Sequence, residues 1–180
     1  MIGRQRELRA AADIVAECWA GFAEVHAIAV IGSVARPLWK EVPRFREFRR
    51  SEIEVWHECG DLDLALWVRS TDRLGDLRRA ADRALRRAYD LRPHSITNND
   101  LDVFLFAVDT DRHLGRLCPF NQCPKGRRDC FVPGCGAVAF AQVVEGFTIR
   151  DDLLTRQAVL YRRGEGRVMS ALELPSVAEA

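Results

Sequence analysis

Lysine is almost missing from this chain. Of its 27 basic residues only Lys40 and Lys125 are lysine, and the other 25 are arginine. Long apolar runs are missing too. The longest, 103–108, has six residues, against about 20 for a bilayer span. The first ten residues, MIGRQRELRA, lack the apolar core of a secretory signal, so the expected location is cytoplasmic. A large net charge is absent. At +1, the chain is a poor duplex binder by bulk electrostatics. No internal repeat and no low-complexity tract is present, which excludes a collagen-like fibre, a coiled-coil rod or a disordered tail.

What remains is ordinary globular material. The chain has 180 residues, 48% apolar and 29% charged, enough for one domain with a real core. We expect that domain over 1–169 and a loose C-terminal tail over 170–180. Arginine is the better fork for phosphate and carboxylate, but a GC-rich genome is the first account of the bias. Six cysteines without a secretory signal point away from disulfides and towards metal or free thiols.

Periodicity orders the elements. Leu8, Ala11, Val15, Cys18 and Phe22 step by three and four, predicting a helix over 4–24. Cys18 on that stripe reads as a small core hydrophobe. HAIAVI follows as a buried strand that ends at Gly32-Ser33 and is expected to turn into a helix at Ser33. Residues 37–57 have no clean period and read as an inserted excursion carrying Arg44, Arg46, Arg49 and Arg50. A strand is predicted over 61–68, a helix over 72–91 and a strand over 101–108. Residues 113–136 form a Cys/Gly/Pro-rich loop, and two β-like runs follow near 138–149 and 157–162.

Three pieces of chemistry stand in order along this frame. Gly32 lets a ligand approach the backbone closely. Ser33, at the start of a helix, would favour a phosphate. Asp61 and Asp63, two apart on a strand, share one face. Asp102 interrupts an otherwise apolar strand, an expensive place for a carboxylate without a partner. Three close carboxylates repel one another unless a cation neutralises them, and Mg²⁺ with a nucleotide's phosphates suits such a site. Two ions would clamp an in-line displacement at phosphorus.

VIGSVAR, GDLDLAL and LDVFLF together resemble the DNA polymerase beta-like nucleotidyltransferase superfamily, in particular its small stand-alone members, the minimal nucleotidyltransferases. The resemblance covers roughly residues 26–108. It implies an α/β (α+β) fold, a mixed sheet backed by helices. It implies that Asp61 and Asp63 bind Mg²⁺ and the triphosphate. Asp102 would bind the second Mg²⁺ and help to deprotonate an acceptor hydroxyl, while Gly32 and Ser33 grip the β- or γ-phosphate. Two departures stand out. The spacer between Gly-Ser and Asp-x-Asp is 27 residues, Val34 to Gly60, wider than the family's usual one, and there is no room for a large helical substrate domain. The insertion is therefore expected beside the acidic cluster, its arginines either facing the triphosphate or the acceptor or forming a solvated basic excursion.

Cys118, Cys123, Cys130 and Cys135 are spaced C-x4-C-x6-C-x4-C. Among prolines and glycines, this spacing predicts a structural Zn²⁺ site. An iron–sulfur cluster uses the same ligand set, and four unligated thiols are the plain alternative. Cys59 reads as incidental. His57 and His94 are weak candidates for the pocket mouth, and His113 for a zinc ligand. The function expected is transfer of a nucleoside monophosphate from an NTP, ATP first, to an acceptor hydroxyl on a small molecule, a protein or an RNA end. No membrane partner is implied. The alternative is a non-catalytic nucleotide- or partner-binding module of the same fold.

Overall fold

The computed structural model describes residues 1–91, 95–120, 123, 135, 137–143, 146–150 and 152–177. Helix α1, Ile2–Ala20, leads into strand β1, Val25–Val30. The insertion follows as a small separate hairpin of β2, Lys40–Glu41, and β3, Val55–Trp56, with the short helix α2, Arg46–Arg50, at its tip. Strand β4, Leu62–Val68, helix α3, Leu74–Leu91, and strand β5, Leu101–Ala107, come next. The chain closes with β6, His113–Leu117, β7, Ala141–Gln142, α4, Asp152–Thr155, β8, Ala158–Arg162, and β9, Gly166–Arg167.

Among the described residues, seven strands form one mixed sheet in the order β7-β6-β5-β4-β1-β8-β9. Among the named strands of the described residues, only β4 and β5 pair in parallel. A parallel pair needs a crossover, and α3 supplies it. The fold is thus a mixed α+β sheet backed by α1 and α3. No helix among the described residues is long and apolar enough to cross a membrane.

Alternation along the strands builds two cores. Leu62, Leu64, Leu66 and Val68 of β4 face α1 and α3 with Leu8, Val15, Trp19, Leu77 and Leu85. On the opposite face, Ala65 and Trp67 join Ala27, Ala29, Ile31, Phe104 and Phe106, partly covered by Ile149, Leu153 and Leu154. The α1 stripe is rotated from the expected one. Trp19 is fully buried and donates its indole N–H to the Leu77 carbonyl at 2.9 Å, while Cys18 packs only at the margin.

Two expectations fail for one reason. No helix starts at Ser33. Residues 32–36 form a turn in which Arg36 N–H donates to the Ser33 carbonyl at 3.2 Å. The carbonyls that a helix would use are taken by α1. Buried Arg9 donates to Val34 and Arg36 at 3.1 and 3.0 Å, and Gln5 also donates to Arg36 at 2.9 Å. Pro37 has no N–H to offer, and Leu38 N–H goes instead to the Ser176 carbonyl at 3.0 Å. The same network ties down the tail expected to be loose. Arg9 also reaches the carbonyls of Leu174 and Pro175 at 2.6 and 3.0 Å. Asp13 accepts from Ala171 N–H at 2.8 Å, and Leu38 bridges Val177. Residues 170–177 are therefore docked on α1; 178–180 lie outside the described residues.

Candidate functional site

The parallel register of β4 and β5 decides the geometry. Asp63 stands directly opposite Asp102, and both point to the face away from α1 and α3. Asp61 lies just before β4 and is exposed. One ligand oxygen from each of the three converges within 4.8 Å of the others. Burial, then the neighbouring charges of Asp61 and Asp102, push the Asp63 carboxyl up to about 7, with Arg116 opposing the rise. Arg116 on β6 forms an ion pair with Asp102 and lies 5.6 Å over the Phe104 ring. The sequence reading missed Arg116. Its signal is an arginine in a short strand, but the partner appears only once β6 pairs with β5.

Gly32 plays a part other than the expected one. Its φ is +68°, and a Cβ there would overlap the Asp63 carboxylate. The space left by the missing side chain thus belongs to Asp63, with ligand approach a separate matter. Ile31 N–H donates to the Asp63 carbonyl at 3.0 Å and ties this turn to β4. Ser33 follows, half-buried. Its place is in a turn, so a helix dipole does not act there; the hydroxyl and turn N–H groups are what it offers a phosphate.

The insertion is braced to that turn. Trp39 and His57 stack at 3.9 Å, the Arg36 guanidinium lies 4.3 Å over the Trp39 ring, and His57 Nδ1 meets Glu41 at 2.7 Å. Its arginines, expected to face the triphosphate or the acceptor, are not among the charges that shift Asp63. The charges acting on Asp63 are Asp61, Asp102 and Arg116, and Arg49 turns back onto the carbonyls of Pro43 and Arg44. Nothing in α2 is buried, so no packing pulls this helix onto the site.

The described cysteines of the loop lie along the β6–β7 edge, around Phe140 and Gln142. Cys118 is buried and its N–H donates to the Phe140 carbonyl at 2.8 Å. Cys123 Sγ accepts from Phe140 N–H at 3.2 Å, and Cys135 bridges Gln142. Among the described residues the three form no ligand group, and the acidic triad is the cluster that does converge. Cys130 and His94 lie outside the described residues. His113 sits apart, against the rings of Phe104, Phe106 and Phe147 at 6.3, 5.7 and 5.7 Å. Burial holds its imidazole below the usual range. Cys59 is buried and accepts from Gln5 at 3.9 Å, a packing role.

Chemically, the arrangement is a cluster of hard oxygen donors beside one guanidinium, on the edge of an apolar sheet face. Comparison with protein-family models, with curated proteins and with solved structures finds no match, so the reading of this site rests on its own residues.

Proposed function

We propose that this chain is a Mg²⁺-dependent nucleotidyltransferase of the DNA polymerase beta-like type. It would move a nucleoside monophosphate from an NTP, ATP first, to an acceptor hydroxyl. The observation that carries the reading is the register: Asp63 beside Asp102 on parallel strands, with Asp61 completing a group within 4.8 Å. The donor set is all carboxylate, and Asp63 rises towards neutrality because burial and then the neighbouring charges of Asp61 and Asp102 disfavour its ionised form. Both properties fit Mg²⁺.

Asp61, Asp63 and Asp102 are the residues that would hold the ions. Bound there, the ions would neutralise the triphosphate and stabilise charge on the leaving oxygen. The acceptor oxygen forms a bond to the α-phosphorus, the bond from that phosphorus to the bridging oxygen breaks, and pyrophosphate leaves. Asp102 takes the hydroxyl proton. Arg116 can exchange Asp102 for a phosphate oxygen, to which its planar fork is matched. Ser33 donates its hydroxyl to the triphosphate from the turn. A structural Zn²⁺ on Cys118, Cys123, Cys130 and Cys135 is supported by spacing alone; zinc near one equivalent in protein purified without chelator is the measurement that checks it.

The test is incubation with each labelled NTP, Mg²⁺ and a cell extract, followed by detection of pyrophosphate and of the species that acquires label. Labelled acceptor that disappears with Asp63→Asn supports the transferase. A melting temperature raised by Mg²⁺ plus NTP, without pyrophosphate, would identify a binding module instead.

A further inference from the structure

A second polar cleft lies on the helical side of the sheet. It holds about 640 Å³ between the C-terminal half of α3, the turn Asn98–Asp100 and Pro119. Its walls include Leu85 and Ile96, each 3% exposed, with Tyr89 and Arg86 at the rim. Two of its lining side chains are buried polar groups with a donor left over. Arg78 is 4% exposed. Its Nε and Nη2 donate to the Pro119 carbonyl, and its Nη1 has no partner among the described residues. Asn98 is 9% exposed, and its Nδ2 is likewise without a partner.

Buried donors nearly always have an acceptor. The Arg78 guanidinium, hydrogen-bonded to a carbonyl, makes no ion pair among the described residues, although the carboxylates of Asp82 and Asp90 also line the cleft and that of Asp82 acts on it electrostatically. The nearby carboxylate of Asp82 is engaged by Arg86 at 3.1 Å. The two spare donors therefore call for oxygen acceptors carrying negative charge, and Leu85, Ile96 and Tyr89 call for an apolar or aromatic body. The volume suits a small organic molecule.

We propose that this cleft binds a small organic oxyanion, a carboxylate or phosphate carried on an apolar or aromatic body. The sheet separates it from Asp63 and Asp102, so the occupant is not the acceptor of the proposed transfer, and the inference stands independently of that reading. Asn98 belongs to the turn that leads directly into β5, which places any occupant behind the strand that carries Asp102.

The test is an NMR titration of the full chain with phenyl phosphate, benzoate, inorganic phosphate and benzylamine. Phenyl phosphate or benzoate should give saturable shifts at the Asn98 side-chain amide and the Leu85 and Ile96 methyls. The tighter of the two tells phosphate from carboxylate. Inorganic phosphate should bind at least ~10-fold more weakly and benzylamine not at all, because one lacks the apolar body and the other the anion. Asn98→Asp, which adds a negative charge at nearly the same shape, should weaken binding at least ~10-fold; Arg78→Lys, which keeps the charge but loses the fork, provides a second variant. Asp63→Asn should bind as the wild type does. Absence of saturable shifts with both organic anions, equal shifts with benzylamine, or undiminished binding in folded Asn98→Asp and Arg78→Lys would overturn the proposal.

Discussion

Asp63 is the residue on which most depends. Its carboxyl is raised from 3.8 to about 7 in the folded chain. The native state therefore holds a proton that the unfolded chain has already released between about pH 4 and 7. This contribution to stability is complete below about pH 4 and is lost as pH rises through about 7. A shift of that size corresponds to ~4 kcal/mol at most. In metal-free protein, denaturant curves for Asp63→Asn should fall less steeply with pH than those of the wild type, and at neutral pH the variant should be no less stable. The proposed nucleotidyl transfer should drop at least ~10²-fold, the usual cost of one lost electrostatic stabiliser. Unfolding by Asp63→Asn would make the carboxylate structural and remove the centre of the proposal. Because ligating carboxylates must be ionised, the rise in melting temperature produced by Mg²⁺ alone should grow over the same pH range. Gly32 is tied to the same group. Gly32→Ala meets both a left-handed φ and the Asp63 oxygen, and should cost about 1–2 kcal/mol for the backbone alone, measured by urea unfolding.

At the level of elements, α1 does more than cover the sheet. Arg9 is buried, with burial lowering its pKa, and it spends its donors on four carbonyls of two segments far apart in sequence. Arg9→Met would take this donor from the carbonyls of Val34, Leu174 and Pro175, while Arg36 keeps Gln5. At about 1–3 kcal/mol for each buried group left unsatisfied, the loss should exceed ~3 kcal/mol, and hydrogen exchange should speed up together in residues 32–38 and 170–177. Loosening of only one segment would show that Arg9 does not couple them. The Gly-Ser turn was legible from HAIAVIGS, but its conformation was not. A helix and a turn begin with the same residues there, and Arg9 and Gln5 decide between them from thirty or so positions away.

For the molecule as a whole, the insertion behaves as an appendage on a finished fold. Its hairpin is a separate two-stranded sheet, and residues 44–52 are exposed throughout. Replacing 41–54 by a short turn, while keeping Trp39, Trp56 and His57, should change unfolding free energy by no more than about 1 kcal/mol, since little apolar surface leaves the core. Loss of acceptor labelling in that variant, with NTP binding intact, would place the acceptor on the hairpin; equal labelling would make it a solvated excursion. Phe45 and Phe48 meet edge to face at 5.6 Å on its exposed surface, so its solubility should improve when they are removed with it.

Local pattern by itself determined the strands around Ile28, Leu64 and Leu105, the helix of Leu77 and Leu85, and the candidacy of Asp61, Asp63 and Asp102. Each of these rests on a period of two or 3.6, or on a charge where only apolar residues fit, and such signals need no distant partner. The tertiary structure alone decided that β4 and β5 lie parallel with Asp63 against Asp102, that Arg116 joins them from β6, and that Gly32 yields its space to a carboxylate. It also decided that the C-terminal segment docks on Arg9. Register, buried side-chain reach and cross-strand charge are set by residues up to 166 positions apart, and a local period carries no record of them.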